Sequence, residues 1–264
     1  MYAFSYHRPT TLAEAGRMLG SASEGRLLAG GQTLLPTLKL RLTQASDVID
    51  LGGVSELKGL NVGASGVSVG AMTRHADVAA SADVQRAIPA LARLAAQIGD
   101  PQVRNMGTIG GSLANNDPAG DYPAAVLGLN AIIHTNKRKI AADDYFKGMF
   151  ETALEAGEII VKVEFPKPRR AGYAKFPNPA SRYALVGVFV AETTSGVRVA
   201  VTGAGPCVFR AREIEAALGR KFDAGSLSGI KASASGLNAD LHASAEYRAH
   251  LIGVMATRAV QAAA

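Results

Sequence analysis

The sequence predicts an α+β fold with two domains, the first of which has two parts. Residues 1–53 alternate strand-like and helix-like segments, whereas residues 54–172 contain shorter strands separated by turn residues. A proline-containing basic segment, Pro166–Gly172, then separates this region from residues 173–264. A chain of 264 residues is long enough for two domains with buried cores. We therefore expect a bipartite domain over residues 1–172 and a smaller α+β domain after it.

Residues 1–53 are predicted to form a small unit with parallel strands. Thr11–Glu14 has the Thr-x-x-Glu pattern of a helix capping box. Strands that alternate with helices favour a parallel sheet. The predicted segments are a strand at Phe4–Tyr6, a helix from Leu12 to about Leu19, a strand at Arg26–Ala29, a helix at Leu34–Leu42 and a strand at Val48–Leu51.

The rest of the chain predicts short strands and a few helices. The long segment Gly99–Asp121 is rich in glycine and asparagine, and we expect a loop there. A β-hairpin is expected around Ser195–Gly196. The predicted strands are Gly66–Gly70, Ala131–His134, Ile159–Phe165, Tyr183–Glu192 and Val197–Thr202, and the predicted helices are Ala87–Ile98, Ala211–Leu218 and Ser244–Val260.

Cys207 is the only cysteine, and this excludes several kinds of site. One thiol cannot bind an iron–sulfur cluster through cysteines, build a cysteine-rich zinc site or form an internal disulfide. Redox chemistry in this chain would therefore need a different cofactor. The N-terminal segment lacks the apolar core of a signal peptide, and the apolar run Tyr122–Asn136 is shorter than the about 18 residues of a membrane span. These features predict a cytoplasmic protein.

The net charge of +6 comes with two basic clusters, Asn136–Lys139 and Lys167–Arg170. Such clusters can attract nucleic acid, an acidic partner or a phosphorylated ligand. No aromatic-rich strand signature, Cys-His finger or basic helix with heptads accompanies them. We therefore predict no nucleic-acid partner and interpret the clusters as solvated turns.

Two glycine-rich segments are the most informative motifs. Ala29–Thr33 has the sequence Ala-Gly-Gly-Gln-Thr, and Gly107–Ser112 has the sequence Gly-Thr-Ile-Gly-Gly-Ser. Consecutive glycines let another molecule approach the backbone and can orient N–H groups toward an anion. Two such segments suit a ligand with two phosphates. A lone glycine pair also occurs in ordinary tight turns, and neither segment has the Gly-x-Gly-x-x-Gly or P-loop pattern.

Polar residues follow the second glycine-rich segment. Their oxygens could accept hydrogen bonds from the hydroxyls of a sugar or a ribityl chain. These residues are Asn115, Asn116, Asp117 and Asp121, with Pro118 and Pro123 among them.

The two motifs together resemble those of a known family. Leu28–Pro36 is similar to the first flavin motif of the FAD-binding medium subunit of molybdenum hydroxylases, the group that contains aerobic carbon monoxide dehydrogenase and xanthine dehydrogenase. Thr108–Pro123 resembles the second motif in order and spacing, and the strand Val67–Thr73 fits as well. The resemblance covers essentially the whole chain. It implies a bipartite FAD-binding domain of the vanillyl-alcohol oxidase (PCMH) type, followed by a small C-terminal α+β domain of the CO dehydrogenase flavoprotein type.

The resemblance also implies which residues bind FAD. FAD would lie in a cleft. One side of this cleft would hold the pyrophosphate and adenosine, a loop on the opposite side would face them, and further residues would contact the rest of the cofactor. The implied set is Leu28, Ala29, Gly30, Gly31, Gln32, Thr33 and Leu34 on the first side, Thr108, Gly110, Gly111 and Ser112 on the second, and Asn115, Asp117, Asp121, Ile160, Lys175 and Tyr183 elsewhere.

The resemblance implies an electron-transfer role. FAD would carry the redox chemistry, so we assign no catalytic residue and no metal ligand to this chain. An iron–sulfur small subunit and a large subunit with the molybdenum cofactor would be its partners, in a dimer of heterotrimers. Two alternatives stay open at this point: a self-sufficient flavin oxidase of the same fold, and a basic nucleotide- or RNA-binding module without catalysis.

Overall fold

The computed structural model describes residues 1–263, and the chain begins with a small parallel sheet. Its strands lie in the order β1-β3-β2, and both pairings are parallel, which confirms the predicted unit. The second helix ends earlier than predicted because Arg41 adopts a left-handed φ of 59° just after it. The elements are β1 (Ser5–His7), α1 (Leu12–Ser21), β2 (Gly25–Leu28), α2 (Leu34–Lys39) and β3 (Asp47–Asp50).

The middle of the chain forms a five-stranded antiparallel sheet with helices packed beside it. Two short 3-10 turns, Leu51–Gly53 and Ser55–Leu57, lead into it. The elements are β4 (Leu60–Val62), β5 (Gly66–Gly70), α3 (His75–Ala80), α4 (Ala82–Ala87), α5 (Pro89–Ala96), α6 (Pro101–Met106), α7 (Ile109–Asn115), α8 (Tyr122–Gly128), β6 (Ile132–Thr135), β7 (Lys139–Ala141), α9 (Ala142–Tyr145), β8 (Phe146–Gly148), β9 (Glu151–Thr152) and β10 (Ile160–Pro166). The sheet order is β4-β5-β10-β6-β7, and β8 and β9 form a separate hairpin.

The prediction of a continuous loop over Gly99–Asp121 is wrong, because this segment contains the helices α6 and α7. Asp100 caps α6 by accepting a hydrogen bond from the N–H of Val103, and Pro101 occupies its first turn. Thr108 caps α7 in the same way, through the N–H of Gly111. Helices this short show little hydrophobic periodicity, so their capping residues are the only clear signal in the sequence.

The C-terminal region is a four-stranded antiparallel sheet with two helices on one face. The elements are β11 (Arg170–Pro177), β12 (Ala184–Thr193), β13 (Gly196–Thr202), β14 (Phe209–Arg210), α10 (Arg212–Arg220), a 3-10 turn (Ala224–Leu227) and α11 (Ala245–Gln261). The strand order follows the chain, and the predicted hairpin of β12 and β13 is confirmed. The predicted linker Pro166–Gly172 is shorter than expected because β11 already begins at Arg170.

Both faces of the central strand β12 are buried. Phe189 and Ala191 face the core that the five-stranded sheet and its helices form. Val186, Val188 and Val190 face a second core under α10 and α11. This alternation follows from the two-residue period of a strand. The C-terminal sheet is therefore packed directly against the rest of the molecule, and the helix α8 contacts both β12 and β13.

None of the helices within residues 1–263 is both long enough and apolar enough to cross a lipid bilayer.

Replacement of Gly172 tests the close packing of β11 against α11. A Cβ atom at this position would overlap the carbonyl oxygen of Ala259. We expect Gly172→Ala to lower the free energy of unfolding by about 2 kcal/mol, because backbone must move to admit the methyl group. Gly219→Ala in α10 is the control, since a Cβ there would meet no atom within 4 Å. Urea unfolding measures both, and equal stability of the two variants would contradict the packing.

Candidate functional site

A cleft of about 580 Å³ lies along the boundary between the parallel unit and the five-stranded sheet. Ligand pockets usually have volumes of about 300–1,000 Å³. Its walls come from the segment between β2 and α2, from α6 and α7, from the start of β10 and from the turn after β11. The two glycine-rich segments, distant in sequence, both line it.

The two glycine-rich segments touch each other through backbone at Gly30 and Gly107. A Cβ atom on Gly30 would overlap the carbonyl oxygen of Met106 and lie 2.7 Å from the Cα of Gly107. Gly31 has a φ of +72°, in the left-handed region that favours glycine. Glycine is therefore required here for contact between the segments as well as for the turn.

Gly110 and Gly111, in the first turn of α7, have different surroundings. A Cβ atom on Gly110 would lie 2.7 Å from both the Cβ and the oxygen of Ala71, so this glycine allows α7 to pack on the chain after β5. A Cβ atom on Gly111 would lie 3.4 Å from the Cβ of Ala29 in the first segment. Gly111 thus faces the first segment, and it lines the cleft.

The polar residues after α7 divide into supporting and lining groups. Asn116 is 1% exposed and ends α7 with a left-handed φ of 43°. Its side chain donates hydrogen bonds to the carbonyls of Gly148 and Glu151, so it anchors the β8–β9 hairpin. Asn115 and Asp117 line the cleft, and Asp117 also accepts a hydrogen bond from the N–H of Ala119.

Asp121 forms a buried cluster that joins the cleft to the C-terminal sheet. Its carboxylate accepts a hydrogen bond of 2.5 Å from the hydroxyl of Tyr173 and lies 3.0 Å from the Nζ of Lys175. The side chains of Lys175 and Asp121 are only 3% and 4% exposed. Burial raises the pKa of Asp121, while Lys175 and Tyr173 oppose that rise by stabilising the charged carboxylate. Lys175 also donates to the carbonyl of Gln97 and so connects β11 with the end of α5.

The remaining residues predicted from the sequence differ in how deeply they are buried at or near the cleft. Ile160 is buried in β10 and lines the cleft, whereas Tyr183 lies at its opening and is 49% exposed. Partial burial, together with the charges of Asp117 and Asp121, raises the pKa of the Tyr183 phenol. Leu28 packs with the cluster around Leu38 and Val48.

The cleft brings together most of the predicted site. Leu28 and Lys175 are outside its lining. The predicted residues that line it are Ala29, Gly30, Gly31, Gln32, Thr33, Leu34, Thr108, Gly110, Gly111, Ser112, Asn115, Asp117, Asp121, Ile160 and Tyr183.

Sequence reasoning missed His75, which also lines the cleft. Its side chain lies beside Gly107, and its ring contacts Tyr122 with a centroid distance of 5.3 Å. Burial lowers the pKa of His75 to about 4, and the positive charge of Arg104 adds to this shift. The imidazole is therefore neutral at pH 7. A histidine spaced far from both glycine-rich segments gives no sequence signal, because only the fold brings it to the cleft.

Both basic clusters include arginines that pair with acids. Arg138 contacts Glu158 at 3.0 Å and Glu155 at 3.2 Å. Arg170 contacts Glu192 at 2.8 Å. These ion pairs neutralise part of the positive charge of the two basic clusters.

Two glycine-rich segments that line one cleft are typical of proteins that bind a phosphorylated cofactor. Residues 2–168 match the family described as the FAD binding domain in molybdopterin dehydrogenase, and residues 171–263 match the CO dehydrogenase flavoprotein C-terminal domain.

Similar proteins and structures agree with these matches. The chain is 37% identical to the nicotine 6-hydroxylase medium subunit of Paenarthrobacter nicotinovorans, over 98% of this chain and 96% of that protein. It is 35% identical to the carbon monoxide dehydrogenase medium chain of Hydrogenophaga pseudoflava, with the same coverage. A structure of carbon monoxide dehydrogenase from Hydrogenophaga pseudoflava superposes with a TM-score of 0.88 at 33% identity, covering 99% of this chain and 97% of that one.

The chain belongs to the FAD-binding medium subunits of molybdenum hydroxylases. It is an oxidoreductase flavoprotein subunit, and its cofactor is FAD. The residues present fit this cofactor, because the two glycine-rich segments line one cleft and no side chain at Gly111 fills the space opposite Ala29. The resemblance noted in the sequence is thereby confirmed.

Replacement of Lys175 tests the buried cluster. Lys175→Met removes the cation and leaves the Asp121 carboxylate buried with Tyr173 alone. We expect this variant to lose about 3 kcal/mol of unfolding free energy without added cofactor, because an unpaired buried charge is costly. Urea unfolding gives the value.

The double variant Asp121→Asn/Lys175→Met is the control for that measurement. It removes both charges, so its loss should be clearly smaller than the sum of the two single losses. Losses that simply add would show that Asp121 and Lys175 do not stabilise each other.

Proposed function

We propose that this chain transfers electrons within a molybdenum-containing hydroxylase. It would receive them from iron–sulfur clusters of a small subunit and pass them to a terminal acceptor. A large subunit with the molybdenum cofactor would oxidise the substrate, and the assembly would be a dimer of heterotrimers in the cytoplasm. The contact of Gly30 with Gly107 beside the cleft is the observation that supports a dinucleotide cofactor most strongly.

We assign the diphosphate of FAD to the part of the cleft that both glycine-rich segments line, next to their contact at Gly30 and Gly107. Backbone of residues 29–34 would contact it from one side and residues 107–112 from the other. Glycine at position 30 permits the contact between the two segments, and Gly111 leaves the space opposite Ala29 free of a side chain. Bound FAD would supply the redox chemistry through its isoalloxazine ring.

We assign positioning roles to the residues around the rest of the cleft. Asp121 is held in one orientation by Tyr173 and Lys175, so its carboxylate could accept hydrogen bonds from cofactor hydroxyls without rearranging. Ile160 would pack on the cofactor and exclude water. Tyr183 lies at the opening of the cleft, where its ring could flank the isoalloxazine.

The division into domains follows the same proposal. Residues 1–172 would form the FAD-binding domain, with parts at about 1–53 and 54–172, and residues 173–264 would form the C-terminal domain. The chain has one cysteine, Cys207, so iron–sulfur clusters bound by cysteines would have to lie on another subunit.

Purification of the tagged chain from its own cells tests the proposal. We expect FAD, iron and molybdenum to co-purify with it. Gly111→Val places a branched side chain next to Ala29, and its complex should keep iron and molybdenum but retain little FAD. Flavin released by denaturation and metal content are measured on the same sample.

Gly219→Val is the matched control, because a Cβ atom there would meet no other atom within 4 Å. Its complex should contain FAD as the unaltered chain does. Absence of FAD from the unaltered protein, or full FAD in Gly111→Val, would contradict the cofactor placement. Flavin without iron and molybdenum, together with oxidation of an organic compound by oxygen, would instead support a self-sufficient oxidase.

A further inference from the structure

His75 is held against the second glycine-rich segment by backbone. It is the first residue of α3, and its N–H donates a hydrogen bond of 3.0 Å to the carbonyl of Gly107. The preceding residue, Arg74, forms a β-bridge with Thr108. The position of the imidazole is therefore fixed by the same backbone that shapes the cleft.

The His75 imidazole and the first glycine-rich segment both lie next to Gly107. A Cβ atom on Gly107 would lie 2.6 Å from the Nε2 of His75, so the ring fills the space that a side chain would need. A Cβ atom on Gly30 would lie 2.7 Å from the Cα of Gly107. The Nε2 edge of His75 consequently lies where both segments meet, and its side chain lines the cleft.

The two ring nitrogens of His75 have different surroundings. His75 is 5% exposed, and its Nδ1 is buried without a hydrogen-bond partner among residues 1–263. A neutral imidazole has one N–H and one lone pair. A buried N–H without an acceptor costs free energy, and nothing near Nδ1 accepts a hydrogen bond among these residues. A buried Nδ1 lone pair without a donor is costly as well, so within the described part of the chain Nδ1 is unpaired in either tautomer. The tautomer with its proton on Nε2, at the edge next to Gly107, is the one that can donate to a ligand in the cleft.

We propose that His75 is a further cofactor-binding residue whose Nε2–H donates a hydrogen bond to the diphosphate of FAD. The inference rests on the proposed function, because it requires the diphosphate to lie between the two glycine-rich segments. The uncharged imidazole N–H would orient the diphosphate. The glycines and the backbone N–H groups would allow the chain to approach it closely. A purely structural His75, which only supports Gly107, is the alternative that the experiment must separate.

Nitrogen NMR of the full chain labelled with ¹⁵N-histidine tests the contact directly. The chain has five histidines, and the His75 signals are identified by their loss in His75→Gln. We expect FAD and ADP to shift the Nε2 resonance of His75, and adenosine and riboflavin, which lack phosphate, to leave it unchanged. Flavin absorbance in the same tube reports whether FAD binds.

The outcomes separate the inference from the function on which it rests. Bound FAD with an unchanged His75 resonance would overturn the proposed hydrogen bond and leave the function intact. A shift caused equally by riboflavin would also overturn it. Failure of the chain to bind FAD would instead contradict the proposed function.

Binding measurements provide a second, independent readout. His75→Leu keeps a side chain of similar bulk but removes the donor, and we expect FAD affinity to fall by about tenfold or more, as for loss of a hydrogen bond to a charged group. His75→Gln, which retains an N–H donor, should lose less. His242→Leu, at an exposed position, is the control. Urea unfolding of each cofactor-free variant checks the fold, and unaltered affinity in a folded His75→Leu protein would overturn the proposal.

Discussion

The backbone contact between Gly30 and Gly107 is the constraint on which the site depends. It joins a segment of the parallel unit to a segment beside the five-stranded sheet, although the two are far apart in sequence. No side chain separates them, so both segments line the same cleft. A dinucleotide carries a diphosphate, which glycine-rich backbone can approach closely. The contact thus links the fold to the choice of cofactor.

The C-terminal sheet is part of the site through its packing and its charges. One face of β12 completes the core beside the cofactor-binding region, and the other face packs under α10 and α11. Tyr173 and Lys175, both on β11, hold the carboxylate of Asp121 at the cleft. The C-terminal sheet therefore helps to orient a residue of the preceding region.

Elements and site residues that depend on local sequence patterns were predicted, whereas those that depend on tertiary contacts were missed. The parallel unit was predicted from its alternating strand-like and helix-like segments and the hairpin of β12 and β13 from the turn residues Ser195–Gly196, and both are confirmed. The glycine pairs identified most of the cleft because turns and close approach restrict residue type. The short helices α6 and α7 were missed, since their signal lies in the caps Asp100 and Thr108 rather than in periodicity. His75 was missed because its proximity to Gly107 arises only in the folded chain.

A crystal structure of the chain with FAD bound tests the central claim most directly. The account predicts density for the diphosphate between residues 29–34 and 107–112, next to the contact of Gly30 with Gly107, with the isoalloxazine extending toward Tyr183. Density for FAD outside this cleft, or a diphosphate bound away from both glycine-rich segments, would contradict it.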